Sequence, residues 1–401
     1  MASKKDNNSA IVYITRDIER AIGQEPVFNY YIITNESEYS KSIKDKYPSN
    51  VFLIKSNNIL DTYELLSQKE SLDIIKKLEA KILVFKNTKQ IEDFCNQNQI
   101  EILNPSSELA EKIENKITQI EWLDELKDFL PEYKILETKD IVWDEKIFVI
   151  QWAHGHTGDG TLLVQNEKIL NDLKDKFPNR LAKVTPFIKG PMFTVNVVSN
   201  IDRVLQGNIS YQITGMLPFT ENPFSTVGND WSIPHSILTE NNVKDFEEIV
   251  RKVGEKMIKS GWKGLFGLDI IFDEERDKLH FIEINARQAA SATFESELQK
   301  DLRDGGVNGI TIFEAHLLSL NNQKIEENII PINDGAQILQ RITSNKNSAD
   351  PTKLIQAGYK VISYNNSKIN SDLLRIQSKR GILEAHNKFN KRGKEIIELL
   401  S

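Results

Sequence analysis

The sequence predicts an α/β protein, and three observations predict it. Short apolar runs alternate with helical patterns over the first hundred residues, a glycine-rich hairpin follows, and a second hairpin near residue 270 carries a cluster of carboxylates. The frame is that of a soluble globular chain with room for two or three domains: 401 residues, 39% hydrophobic and 27% charged. No apolar run approaches the roughly 18 residues needed to cross a bilayer, so no membrane partner is expected. The polar start, without a signal-peptide pattern, gives a cytoplasmic expectation. A net charge of −7 with scattered lysines argues against nucleic acid as a partner. The single cysteine, Cys95, excludes a disulfide framework and a zinc ribbon, and beside Ile91 and Phe94 it reads as a buried structural thiol.

In chain order, Ile11 to Ile14, Tyr30 to Ile33, Val51 to Ile54 and Ile82 to Phe85 read as buried parallel strands, with Ile100 to Leu103 as a fifth. Leu72, Ile75 and Leu78, and then Ile91 and Phe94, recur at helical spacing between the later strands. Such alternation predicts a doubly wound sheet, yet no Gly-x-Gly-x-x-Gly follows any strand, so a dinucleotide site is not expected here. Asn104-Pro105-Ser106-Ser107 breaks the pattern and supplies a helix N-cap ahead of Leu109 and Ile113, which puts a domain boundary near residue 105. Lys116 lies beside that apolar stripe; a lone lysine on a helix is usually a solvated face.

Ile147 to Gln151 and Leu162 to Val164 read as strands flanking the glycine-rich turn Trp152 to Thr161. Glycines let the backbone approach a ligand and present N–H groups to phosphate, although a flexible turn has the same composition. His154 and His156 are too few for a metal site. A helix near 169–177 leads to Lys183 to Gly190, where Pro186 forbids the middle of a regular central strand. Such a linker suits a planar base, or is simply a strand end and turn. Val204 to Gln212 reads as one strand, and Val243 to Met257 as a helix closed by Gly261.

The hairpin Gly267 to Phe272 and Phe281 to Arg287 carries the sharpest signal. Period-two alternation puts Glu283, Asn285 and Arg287 on one side and Ile282 and Ile284 on the other. A turn near Arg276 sets Asp269 opposite Glu283. Facing carboxylates destabilise a sheet unless something positive sits between them; Mg²⁺, which takes carboxylate and amide oxygens, would serve, and the alternative is a solvated hairpin face with ordinary surface charges. Beyond Pro331, strands at 336–339 and 360–363 precede a final helix, and Arg341 and Arg375 could reach a carboxylate, though an arginine is more often a surface group.

Taken together, Asn115-Lys116, the glycine flap, the segment Thr185 to Gly190, Gly264-x-x-Gly267-x-Asp269 and Glu283-Ile-Asn285-Ala-Arg287 resemble the ATP-grasp superfamily, in its carboxylate–amine and peptide-ligase branch. The resemblance spans about residues 105 to 330. It implies an ATP-grasp fold over 106–330 with a flap at about 146–185, a doubly wound pre-ATP-grasp-like domain over 1–105, and a C-terminal α/β subdomain over 331–401.

The implied activity is an ATP-dependent carboxylate–amine ligase that forms an acyl phosphate and releases ADP and phosphate. A kinase, a carboxylase or a decayed nucleotide-binding regulator are the alternatives. The implied cofactors are ATP and Mg²⁺, or Mn²⁺ in its place; the implied partners are a small carboxylate and an amine, and a homodimer is compatible with the resemblance. Residue by residue, it implies Lys116, Gln151, Gly155, Gly158, Gly160 and Thr161 at the phosphates, Pro186, Phe187 and Ile188 at adenine, and Gln212 near the nucleotide or substrate. Asp269, Glu283 and Asn285 would hold the metal, and Arg287 would stabilise charge on the transferred group. Gln151 and Thr185 depart from the pattern, standing where a lysine and an acid are usual, while the metal residues and Arg287 are intact.

Overall fold

The computed structural model describes residues 9–153 and 160–400. Gly155 and Gly158 of the expected flap, with His154 and His156, lie outside the described residues. The N-terminal strands β1 (Ile11–Ile14), β2 (Tyr30–Asn35), β3 (Val51–Ile54) and β4 (Lys81–Leu83) form a parallel sheet in the order β3-β2-β1-β4. Every residue of β1 is buried, which is why its sequence is an unbroken apolar run rather than an alternating one. The helices Lys69–Lys77 and Lys89–Gln97 cover one face, and Cys95 is buried there with its thiol pushed up to about 11 by burial. The expected fifth strand shrinks to a single parallel bridge, Ile82 to Ile102, because Asn104 and Pro105 turn the chain away.

Ser106 caps the helix Ser107–Glu114 through its hydroxyl, which accepts from the Leu109 N–H. The run beyond Lys116 becomes a short helix, Thr118–Leu123, followed by a 3₁₀ segment, Asp124–Phe129. Next comes a small antiparallel sheet of β5 (Lys134–Glu137), β6 (Phe148–Trp152), β7 (Thr161–Val164) and β8 (Leu181–Pro186), ordered β5-β8-β6-β7. Pro186 is the last residue of β8, a strand terminus that needs no further donor.

The largest sheet has nine strands: β9 (Met192–Asn200), β10 (Arg203–Gln206), β11 (Ser210–Thr214), β12 (Thr226–Asp230), β13 (Gly264–Asp273), β14 (Lys278–Asn285), β15 (Ala336–Arg341), β16 (Lys360–Ser363) and β17 (Asp372–Ser378). Its order is β14-β13-β9-β11-β12-β15-β17-β16, with β10 paired to β9. The single strand expected over 204–212 is two strands, broken at Gly207, where a Cβ would sit 2.6 Å from the Asn196 carbonyl oxygen. The last strands of the chain therefore extend the same sheet as the acidic hairpin.

Period two divides this sheet chemically. Phe193, Val195, Tyr211, Ile213, Leu268, Ile270, Ile284, Ile338 and Ile376 face the main core, which the helix Glu240–Lys259 covers with Phe246, Val250 and Val253. Thr194, Asn196, Ser210, Asn229, Asp269 and Gln337 face the other way and are buried polar groups. Buried polar groups need partners, and a ladder runs across the sheet: Asn229 Nδ2 donates to Ser210 Oγ (3.1 Å), Gln337 Nε2 to Asn229 Oδ1 (3.2 Å), and Arg375 Nη1 to Gln337 Oε1 (3.1 Å).

Candidate functional site

The polar face of the large sheet meets the small sheet at the acidic hairpin. The turn at 274–277 puts Asp269 opposite Glu283 in the β13–β14 register, as the spacing predicts. The same register shifts between Asp269 and Ile270, since Ile270 opposes Phe281 and Ile282 is left as an extra residue on β14. This bulge corrects the simple alternation: Phe281 and Ile284 both face the core, while Ile282 and Glu283 in succession do not. Its effect is to turn Glu283 toward the chain's own cations.

Asp269 is buried, and its Oδ2 accepts from Asn285 Nδ2 at 3.0 Å. Asp269 Oδ1 is buried without a hydrogen-bond partner. Burial first, and then the neighbouring Glu283 carboxylate, push the Asp269 carboxyl up to about 7. The positive charge expected between the two acids is supplied by Lys116, whose Nζ lies 2.6 Å from Glu283 Oε2. Lys116 is buried, so it is not the solvated helix lysine of the local pattern. Its backbone N–H donates to the Ala153 carbonyl (3.2 Å), which ties it to the end of the flap strand β6.

On the small sheet, Gln151 is buried and pairs in register with Thr161 on one side and Lys183 on the other. Gly160 accepts through its carbonyl from the Trp152 N–H (3.0 Å). Lys183, which sequence reasoning passed over, is 2% exposed, and its Nζ donates to the Ile282 carbonyl of the bulge at 3.5 Å. Burial pulls the Lys183 ammonium down to about 8; Glu283 opposes that shift and Lys116 adds to it. The available signal was the polar pair Lys183 and Thr185 at period two, of which Lys183 stands opposite Gln151.

Not every expected residue joins this cluster. Arg287 lies beyond the end of β14, in a bend where its N–H donates to the Asn285 carbonyl (2.7 Å), rather than continuing the strand face. Its guanidinium pairs with Glu114, whose other oxygen is 2.7 Å from Lys86 Nζ. Pro186, Phe187 and Ile188 begin three residues beyond Lys183, about 10 Å along the strand. The Phe187 side chain is exposed, and its N–H donates to Ile147 (3.3 Å). Gln212 is on the polar face of β11, paired with Asn229. Arg341 and Arg375 are both buried, not surface groups: Arg341 pairs with Asp372, and Arg375 Nε donates to Tyr364 OH (2.9 Å).

The donor set fits a hard divalent cation. Two carboxylates and an amide converge, one carboxylate oxygen is buried and unpartnered, and Mg²⁺ binds through one or two carboxylates while keeping sites for water and phosphate. Among the described residues no group of three or more acidic, histidine or cysteine side chains forms a self-sufficient metal cage.

Residues 113–291 match the family model described as an ATP-grasp domain. A [butirosin acyl-carrier protein]–L-glutamate ligase of Niallia circulans is 22% identical over 153 residues, which are 35% of this chain and 32% of that protein. The match thus spans about a third of that relative's length. The N5-carboxyaminoimidazole synthetase from Staphylococcus aureus in complex with ADP superposes with a TM-score of 0.66 at 13% identity, covering 98% of this chain and 97% of that one. A carboxyaminoimidazole ribonucleotide synthase from Aspergillus clavatus with ATP gives 0.65 at 14% identity over 98% and 97%. No helix among the described residues is long and apolar enough to cross a membrane. The chain is built on the ATP-grasp fold, and its residues 113–291 match the model of an ATP-grasp domain.

Proposed function

We propose that this chain is an ATP-dependent carboxylate–amine ligase working through an acyl phosphate, with the domains divided near residues 105 and 330. The observation that carries the reading is the pairing of Asp269 with Glu283 beside Asn285 and Lys116. A divalent cation bound there would supply charge neutralisation for a triphosphate. Asp269, Glu283 and the Asn285 amide oxygen would hold it. Lys116, released from Glu283 when the cation takes over that carboxylate, would turn to the phosphates, and Gln151, Gly155, Gly158, Gly160 and Thr161 would line them from the flap. Pro186, Phe187 and Ile188 would border the base, and Gln212 would border the substrate from the polar face.

The reaction is a double displacement. A substrate carboxylate oxygen bonds to the γ-phosphorus as the bond to ADP breaks; the amine nitrogen then bonds to the acyl carbon as phosphate leaves, and the amine's proton passes to water. Arg287 would stabilise the charge on the transferred group, a two-pronged task suited to guanidinium. Both the L-glutamate ligase relative and the ADP- and ATP-bound folds support the reading.

The test is to incubate the protein with ATP, Mg²⁺ and pairs of acids and amino acids while measuring ADP and phosphate. A ligase gives ADP, phosphate and an amide in equal amounts. A stable phosphorylated product, or nucleotide binding without turnover, would sink it.

A further inference from the structure

Lys183 is the lysine of this cluster that meets no carboxylate within ion-pair distance among the described residues. It is 2% exposed, against 8% for Lys116, and these are the two buried lysines among the described residues. An ammonium has three donors to satisfy. Its hydrogen-bond partner is the Ile282 carbonyl at 3.5 Å, the long limit for such a bond. No carboxylate among the described residues lies within ion-pair distance of it, whereas Lys116 is answered by Glu283 at 2.6 Å. A buried cation without an anion is unfavourable, and a structural strand lysine would be replaced by an apolar residue at no loss.

Its position says which anion would answer it. Lys183 rises from β8, directly across from Gln151 on β6, and spans the gap to the bulge of β14 beside Glu283. The flap sheet therefore presents a neutral amide and an ammonium side by side to the hairpin. We infer that Lys183 is a phosphate-binding residue, its ammonium and that of Lys116 gripping the anionic oxygens of the nucleotide from two sheets. The inference rests on the nucleotide site proposed above and adds to it a residue of this chain that sits where no family motif marks it.

The experiment measures calorimetric binding of ADP with Mg²⁺, and separately of adenosine, to the wild-type chain and to Lys183→Met. The expected result is ADP binding weakened at least tenfold with adenosine within twofold of wild type, because only ADP carries the anion. ADP binding within twofold of wild type would overturn the inference. So would an equal loss for ADP and adenosine, which marks a mere prop between the sheets. Where Lys183→Met gives no folded protein, Lys183→Gln, which keeps length and polarity without charge, takes its place under the same criteria. Failure of the wild-type chain to bind ADP would instead refute the nucleotide site itself, a different outcome from wild-type binding that Lys183 does not influence.

Discussion

Lys116 Nζ lies 2.6 Å from Glu283 Oε2, while Glu283 stands in register with the buried Asp269. The proposed metal site is thus covered by an internal cation. Removing that cation leaves two carboxylates facing each other. Lys116→Met is therefore expected to lower stability without metal by about 1–3 kcal/mol, less than a fully buried pair because both partners keep some exposure. Mg²⁺ should then raise the melting temperature of the variant more than that of the wild type. Equal Mg²⁺ responses in a thermal-shift series would contradict the arrangement.

At the proposed site, Asp269 would make cation binding depend on pH. Its carboxyl is pushed up to about 7 in the folded chain, by burial and then by Glu283, from an ordinary value near 3.8. A carboxyl raised on folding is held best in its protonated form. Its contribution to stability is therefore fully present below about pH 4 and is lost as pH rises toward 7. A cation needs the carboxylate, so its binding releases a proton over the same range. Apparent Mg²⁺ affinity should rise up to tenfold per unit between pH 5 and 7 and level off above. Asp269→Asn should abolish the slope, and a flat wild-type profile by calorimetry would refute the coupling.

Much of this was legible in the chain because it depends on local spacing. The opposition of Asp269 and Glu283 follows from the length of the turn and the period of a strand, and Ser106 caps its helix as its neighbours require. The bulge at Ile282 was not legible, since nothing in Phe-Ile-Glu-Ile-Asn distinguishes a regular strand from one with an extra residue. Lys183 escaped notice for a related reason. Its meaning comes from a second sheet, contributed by residues a hundred positions later, closing over it. Lys116 was read as solvated because a helix pattern reports its own faces and not what a distant hairpin places against them.

Arg287 is held by Glu114, and Glu114 in turn by Lys86, so the guanidinium is positioned by carboxylate contact rather than by its strand. Replacing it with lysine keeps the charge and loses the planar fork. Turnover in Arg287→Lys should fall at least a hundredfold, about 2.7 kcal/mol of transition-state stabilisation, while ADP affinity stays within about threefold. Retention of more than a tenth of wild-type turnover would remove Arg287 from the chemistry.

Gly190 ties the segment after Pro186 to strand β13. A Cβ there would lie 1.9 Å from the Phe272 carbonyl oxygen, a backbone atom that cannot rotate aside, and Phe272 stands three residues beyond Asp269 on β13. The Phe272 N–H also donates to the Pro191 carbonyl (3.0 Å), so the two segments are sewn together at this point. Gly190→Ala must part them, at an expected loss of about 2–4 kcal/mol, read as a lower urea midpoint with an unchanged slope. Gly261 supplies the comparison: it has φ of +84° with nothing within 4 Å of the added carbon, so Gly261→Ala should cost only the left-handed backbone penalty of about 1–2 kcal/mol. The two variants differ further in function. Gly190→Ala should also weaken ADP binding, because the base-flanking residues and Asp269 are displaced together, whereas Gly261→Ala should bind ADP as the wild type does. An ADP affinity for Gly190→Ala equal to that of Gly261→Ala would show that the junction at Phe272 serves stability alone.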